Sequence, residues 1–435
     1  MITTSSKKVT NAWAMYDWAN SVYSLVITSA IFPVYYSAVT GTKVSFFGIE
    51  FVNSALYSYA VSFSFFLVMI FSPILSGIAD YSGRKMQFMK FFCYLGAFAC
   101  AVLYFFNSGN VELGIICYVL GSVGYAGSIV FYNAYLPEIC PPDEQDAISA
   151  KGFSYGYIGS TILLVAVLLM IQFPSWFGIT DSSTAPKISF LLVGVWWAAF
   201  AQITFRVLPK SKEYKKVKSD ILFKGYRELK KVWNELKEEP NLKRFLLSFF
   251  FYNMSVQTVM YIATIFGKEE LHLQDAQLIY TIFIIQLVAI AGAYLFSWLS
   301  SKYGNIKALV VAVVIWVGIG SATYLMFDPS YNPEYIPMKF YSIAFVVGMV
   351  MGGIQSLSRS TYSKLLPETI DHASYFSFYD VTEKLAIVVG TFMYGYLRVI
   401  TGNMRFSVLF FTMVLVVGLV LLLRVRNAKS LEANA

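Results

Sequence analysis

Long apolar runs separated by short polar connections fill the chain from end to end. Twelve such runs fall at 12–38, 52–79, 88–106, 111–135, 153–173, 188–208, 245–267, 274–300, 306–327, 338–362, 375–398 and 404–424. A helix needs ~20 apolar residues to cross the ~30 Å hydrocarbon core of a bilayer, and each run has about that length or more. They are too continuously apolar to be the alternating strands of a barrel, so helices are the spanning form. The pattern predicts an all-α integral membrane protein of twelve transmembrane helices.

The longest polar stretch, 209–244, separates the sixth run from the seventh. Within it Leu222, Tyr226, Leu229, Trp233 and Leu236 recur at spacings of four and three, one stripe of an amphipathic helix. Lys and Glu fill the other faces. This predicts a helix that lies on the anionic inner leaflet and couples the halves, the alternative being a solvated linker. The chain thus divides into a six-helix bundle over 1–208, a linker over 209–244, and a second six-helix bundle with a short tail over 245–435. The bundles read as repeats. Leu136-Pro137-Glu138 closes the fourth run and Leu366-Pro367-Glu368 closes the tenth; Gly83 follows the second run and Gly304 the eighth. Repeated halves with a site between them are a transporter architecture.

Charge sharpens this picture. Only 13% of the 435 residues are charged, against ~25% in soluble domains, and 57% are hydrophobic. Placing both termini and the linker on one side gives that side 24 of the 33 Lys and Arg and the other side six, with three inside spans. Both termini are therefore expected in the cytoplasm. The net charge of +8 suits a membrane surface rather than nucleic acid, because the aromatics sit within apolar runs and not among the basic residues. Cys93, Cys100, Cys117 and Cys140 have no paired spacing, and His272 and His372 are too far apart for a ligand set. Neither metal nor cofactor is expected. With no catalytic constellation or nucleotide loop, the chain does not read as an enzyme, and a gradient must drive its work.

Between the second and third runs stands Gly77-x-x-x-Asp80-x-x-Gly83-Arg84-Lys85. Glycine permits the tight turn, the cations mark the inner face, and Asp80 can pair with Arg84 or cap a helix N-terminus. This string resembles the signature loop of the major facilitator superfamily and implies its fold of two six-helix bundles. In the second repeat Ser301 stands in place of the acid, which suggests that the first copy carries most of the switching. Further strings are WAMYDWANSVYS (Trp13 to Ser24), YNAYLPEI (Tyr132 to Ile139), GFSYGYIG (Gly152 to Gly159), GGIQSLSRS (Gly352 to Ser360) and SFYDVTEK (Ser377 to Lys384). Together they resemble the subfamily of autophagy-related vacuolar amino-acid effluxers and their bacterial relatives. Where that family often carries an Asp-Gly pair after a tyrosine, this chain has Tyr252-Asn253-Met254, so a proton or cation role for that acid does not transfer.

A charge at the bilayer centre costs at least ~2.5 kcal/mol and needs a partner or a wet cavity. Counted from the cytoplasmic ends, Asp17, Arg359 and Asp380 share a layer ~9–10 Å deep, with Arg359 and Asp380 the expected ion pair. Asn20, Asn253, Gln257, Gln355, Glu383 and Lys384 fall nearer the midplane, ~13–20 Å in. Asp380 and Lys384 are spaced to pair along one helix face, leaving Glu383 as the candidate protonation site. These nine are the candidate substrate and coupling residues; Gly77, Asp80, Gly83, Arg84 and Lys85 form the candidate gate. The expected function is secondary transport by alternating access across the cytoplasmic membrane. The resemblance points to efflux of an amino acid or similar zwitterion; with Glu383 as the protonation site, protons are the expected coupling ion, and a monomer is the expected working unit. A permease for a peptide or sugar derivative, and a sensor built on a transport fold, are the other readings.

Overall fold

The computed structural model describes residues 5–41, 43–181, 183–210, 221–269, 271, 273–325, 335–401 and 404–426. Helix α1 spans Lys7–Val39, and its middle, Tyr23–Ile31, is wound as a π-helix. Then follow α2 (Asn53–Ser82), α3 (Lys85–Val102), α4 (Val111–Asn133), α5 (Gln145–Gln172) and α6 (Thr184–Val207). The linker helix α7 is Ile221–Glu238. The second set is α8 (Pro240–Glu269), α9 (Asp275–Tyr303), α10 (Asn305–Leu325), α11 (Ile336–Leu365), α12 (His372–Thr401) and α13 (Met404–Leu422).

Ten of these are long and apolar enough to cross a membrane among the described residues. Helices α8 and α12 are equally long, 30 residues each. Their apolar runs are interrupted by polar residues, Asn253 and Gln257 in α8 and Asp380, Glu383 and Lys384 in α12.

The chain is not wholly helical. Strands β1 (Lys43–Phe46) and β2 (Ile49–Val52) pair antiparallel across a Phe47-Gly48 turn, where both residues take positive φ, 50° and 81°. Apolar and polar residues alternate on both sides of that turn, a hairpin signal inside what reads as a connection.

Two helix stops are glycines with positive φ. Gly83 ends α2 as a left-handed cap (φ 70°, ψ 17°), and Gly304 ends α9 in an extended form (φ 89°, ψ 153°), both of which glycine enters readily. Within the first bundle α1 packs on α5 and α6, and α3 packs on α4; within the second α8 packs on α12 and α13, and α9 on α11. The bundles meet along α5 with α9 and α11, and along α2 with α12.

One end of the molecule gathers both described termini and the linker. Ser5 bonds Glu144 at the start of α5, and Asn241 exchanges hydrogen bonds with Arg426 (2.8 and 2.9 Å). Helix α7 touches the bundles on one side: Val232, beside the stripe, and Leu236, within it, are buried, and Lys231 pairs with Asp371 at the head of α12 (2.8 Å). Trp233 of the stripe packs on Phe378 (5.7 Å) and keeps 48% exposure. The side chains of Leu222, Tyr226 and Leu229 lie outside the described residues.

Candidate functional site

A cavity of about 410 Å³ lies between the bundles. It reaches from Asp17 and Arg359, on the linker side, to Phe266, Leu278 and Phe340 towards the opposite end. The π-helical stretch of α1 contributes Tyr23, Ser24, Leu25 and Thr28 to its wall. The wider π turn shifts the register of these side chains relative to a regular helix, a distortion common at functional sites.

Arg359 closes the floor of the cavity. It leaves α11, crosses the interface and enters the first bundle, where Nη1 donates to Asp17 (3.2 Å) and to Asn133 Oδ1 (3.4 Å). Nε and Nη2 donate to the Ser149 hydroxyl and carbonyl (2.9 and 2.8 Å). Its guanidinium also lies over three rings, Phe153 (4.2 Å), Trp13 (4.7 Å) and Tyr132 (5.5 Å). The same oxygen, Asp17 Oδ2, also accepts from the Tyr132 hydroxyl (2.7 Å). A planar cation with several donors suits such a cage better than an ammonium does.

The expected pairing of Arg359 with Asp380 is thus corrected. Depth counting put the three charges in one layer but said nothing of the direction each faces. Asp380 turns towards its own helix and pairs with Lys384 at 3.2 Å. Lys384 also meets Glu383 (2.8 Å), which accepts from Gln257 of α8 (3.0 Å). Glu383 keeps 22% side-chain exposure, against 7% for Lys384 and 3% for Asp380. Glu383, Lys384 and Gln257 line the cavity, while Asp380 sits behind them. Two carboxylates share one ammonium, so the cluster carries one negative charge in excess.

The other candidates are dispersed. Asn253 faces the cavity, and Gln355 accepts from Tyr157 of α5 at 2.7 Å, a bond across the bundles. Asn20 is buried beside Ser21 and does not line the cavity.

At the linker end the gate residues separate into roles. Asp80 accepts the backbone N–H groups of Ala373 (3.3 Å) and Ser374 (2.7 Å), the exposed donors of α12. Lys85 pairs with Glu138, which also meets His372 Nδ1 (2.9 Å). Gly83 makes the turn, Arg84 acts through its backbone N–H on Ala79 O (3.0 Å), and Gly77 is buried within α2. His272 lies outside the described residues.

In the second repeat Ser301 bonds back to Trp298 within its own helix. The acid at this junction is Asp146 of α5, a contribution that the comparison of the two repeats does not reveal. Asp146 accepts from Ser300 (2.6 Å), Asn305 (2.6 Å) and Lys364 (2.7 Å). In the first repeat the acid ends α2 and reaches across to the opposite bundle; in the second it starts α5 and is reached from the opposite bundle. Both junctions are charged.

The family model described as vacuole effluxer Atg22 like matches residues 5–435. The chain belongs to this Atg22-like family. It is 30% identical to the uncharacterized MFS-type transporter YxiO of Bacillus subtilis, over 98% of this chain and 97% of that protein. It is 25% identical to autophagy-related protein 22 of Saccharomyces cerevisiae, over 84% of this chain and 76% of that protein. Among solved structures, the human organic anion transporter MFSD10 superposes with TM-score 0.68 at 12% identity, covering 96% of this chain and 99% of that one. A bacterial homologue of ferroportin in its outward-facing state gives 0.66 at 13% identity, covering 96% and 98%. The Atg22-like chain is thus a multi-pass major facilitator transporter, and its relatives are transporters rather than enzymes.

Several residues that shape the Atg22-like site escape a depth count. Tyr132 and Asn133 stand inside the YNAYLPEI string, but read as the end of a span rather than as partners of Arg359. Asp146 and Ser149 lie in a polar segment that reads as a loop, although it forms the first two turns of α5. The Ser-rich run of α11 is the available signal: Ser358 and Ser360 flank Arg359, and Ser356 O accepts from Ser149 (2.7 Å).

Proposed function

We propose that the protein is a secondary active transporter that spans the cytoplasmic membrane twelve times, with both termini cytoplasmic. It carries an amino acid or similar zwitterion by alternating access, coupled to protons, and works as a monomer. One observation carries this reading: the Glu383–Lys384 pair faces the cavity with an excess negative charge behind it. Lys384 offers an ammonium to a carboxylate, and Glu383 offers a carboxylate to an ammonium or a proton. A zwitterion presents both complements at once, which a sugar does not. The contacts between bundles at the linker end close the cavity on that side, as alternating access requires of one of its states.

The efflux expected from the resemblance needs a topological reading. The lumen of a vacuole corresponds to the outside of a cell, so efflux from a vacuole is delivery to the cytoplasm. In a cytoplasmic membrane the same orientation moves substrate inward with protons. Proteoliposomes loaded with buffer or with labelled amino acids, given a pH gradient of either sign, test this. Proton-dependent flux of a zwitterion supports the reading. Flux of sugars or peptides with none of amino acids overturns it.

A further inference from the structure

We propose that the β1–β2 hairpin is a membrane-surface anchor, its tip at Phe47 and Ile49 seated in the headgroup boundary of the leaflet opposite the linker. This rests on the multi-pass fold and not on the identity of the substrate.

The strand register sets up the chemistry. Phe46 stands opposite Ile49, and Val44 opposite Phe51. Opposed residues of an antiparallel pair share a face, so one face of the hairpin is wholly apolar. The other face carries Lys43, Ser45, Glu50 and Val52, and there Lys43 pairs with Glu50 at 3.8 Å. Strand β1 packs on α4 and β2 on α2, which buries Val44 and half-buries Phe46 and Phe51. That cover stops short of the turn. Phe47 is 70% exposed and Ile49 61%.

The level, the side and the chemistry of the tip all point to lipid as what covers it. Phe47 donates its backbone N–H to Glu112 (3.1 Å), in the first turn of α4, and the span of α4 begins at Val111. The tip is thus pinned level with the end of a span, where headgroups lie. The ring of Phe51 meets that of Tyr59 (6.3 Å), at the head of the α2 stretch able to cross a membrane, Tyr59–Ser82. Tyr59 leads an exposed stripe with Phe63, Phe66 and Ile70. At about 100° per residue this stripe lies on the side of α2 away from Val61 and Phe65, which line the cavity. The stripe therefore faces lipid, and the hairpin continues it past the end of the span. Aromatic side chains beside charged ones are what the headgroup boundary favours. The boundary also leaves water for the free edges of a two-stranded hairpin, which the hydrocarbon core would not.

Nitroxide labels test the placement. Phe47→Cys, Ile49→Cys, Ser45→Cys and Glu50→Cys are each labelled in the full chain, in nanodiscs of phosphatidylcholine and phosphatidylglycerol. The four native cysteines are buried, and the parent chain carried through the same labelling gives the background. Accessibility to oxygen and to nickel–EDDA, calibrated with labelled lipids, reads the depth of each site. Labels at 47 and 49 should lie ~5–10 Å inside the headgroup boundary, and those at 45 and 50 at or above it. Phe63→Cys should read deeper than all four. Labels at 47 and 49 no deeper than those at 45 and 50 overturn the proposal and make the hairpin an aqueous lid. Labels at 47 and 49 shielded from both oxygen and nickel overturn it in favour of a protein cover, such as a second copy of the chain. Substrate plays no part in this readout, so a failure of the zwitterion reading leaves the anchor standing, and the reverse holds as well.

Discussion

Arg359 and Asp17, 342 positions apart in sequence, meet at 3.2 Å and tie the two bundles through a buried pair. The pair is nearly dry, with 4% and 11% side-chain exposure. Removing one partner strands the other charge, at a cost of ~3–5 kcal/mol for a buried pair. Arg359→Ala and Asp17→Ala should each lower the thermal unfolding temperature markedly, and the double variant should recover much of the loss. Arg359→Ala combined with Asp380→Ala should instead be additive within ~0.5 kcal/mol. A cycle on unfolding temperatures decides it; additive losses for Arg359 with Asp17 would refute the tie.

Gly152 is the seat of that tie. A Cβ at this position would come within 2.4 Å of Asp17 Oδ2 and 3.0 Å of Arg359 Nη2, and both are held by other bonds. Gly152→Ala should therefore spread the linker end. Spin labels at 143 and 368, exposed positions on either bundle, should show a longer distance population in the variant. An unchanged distribution would mean that the cage relaxes locally.

The two junctions at the linker end should weigh about equally. Asp80→Asn keeps an acceptor but removes the anion from the N-terminus of α12, a loss of ~0.5–2 kcal/mol. Asp146→Asn removes the anion that Lys364 meets at 2.7 Å. Each should shift the same label distances towards the linker-open state without loss of expression, and the double variant should shift them further. If Asp146→Asn has no effect, the first repeat alone carries the gate.

Glu383→Gln should abolish gradient-driven uptake yet retain counterflow exchange of labelled against unlabelled substrate. Proteoliposome assays run in both modes separate the two. Survival of gradient-driven uptake would move the coupling role to Asp17.

Much of the architecture was legible because it follows from one variable, apolar run length. The bilayer imposes that variable on every span, and the matched Gly83 and Gly304 stops are visible as letters. The site was legible only in depth. Residue counting gave each of Asp17, Arg359 and Asp380 a position along its helix, but the azimuth of each side chain depends on helix rotation and on the π stretch of α1. Hence Arg359 finds Asp17 across the interface while Asp380 stays with Lys384. Asp146 was hidden for a different reason. The repeat pattern sought an acid at Ser301, and the fold supplies it from the facing helix, where no comparison of the two repeats would look.

The excess negative charge of the Asp380, Glu383 and Lys384 cluster bears on energetics as well as on recognition. A zwitterion is neutral, so a carrier that fills this cluster with a proton moves one elementary charge per cycle. Membrane potential then acts on the cycle through the return of the empty, negatively charged site, contributing ~2.3 kcal/mol per 100 mV. That alone sustains a roughly 50-fold accumulation on the negative side. Uptake would continue in a cell whose external and internal pH are equal, and a potassium diffusion potential would drive it without any proton gradient.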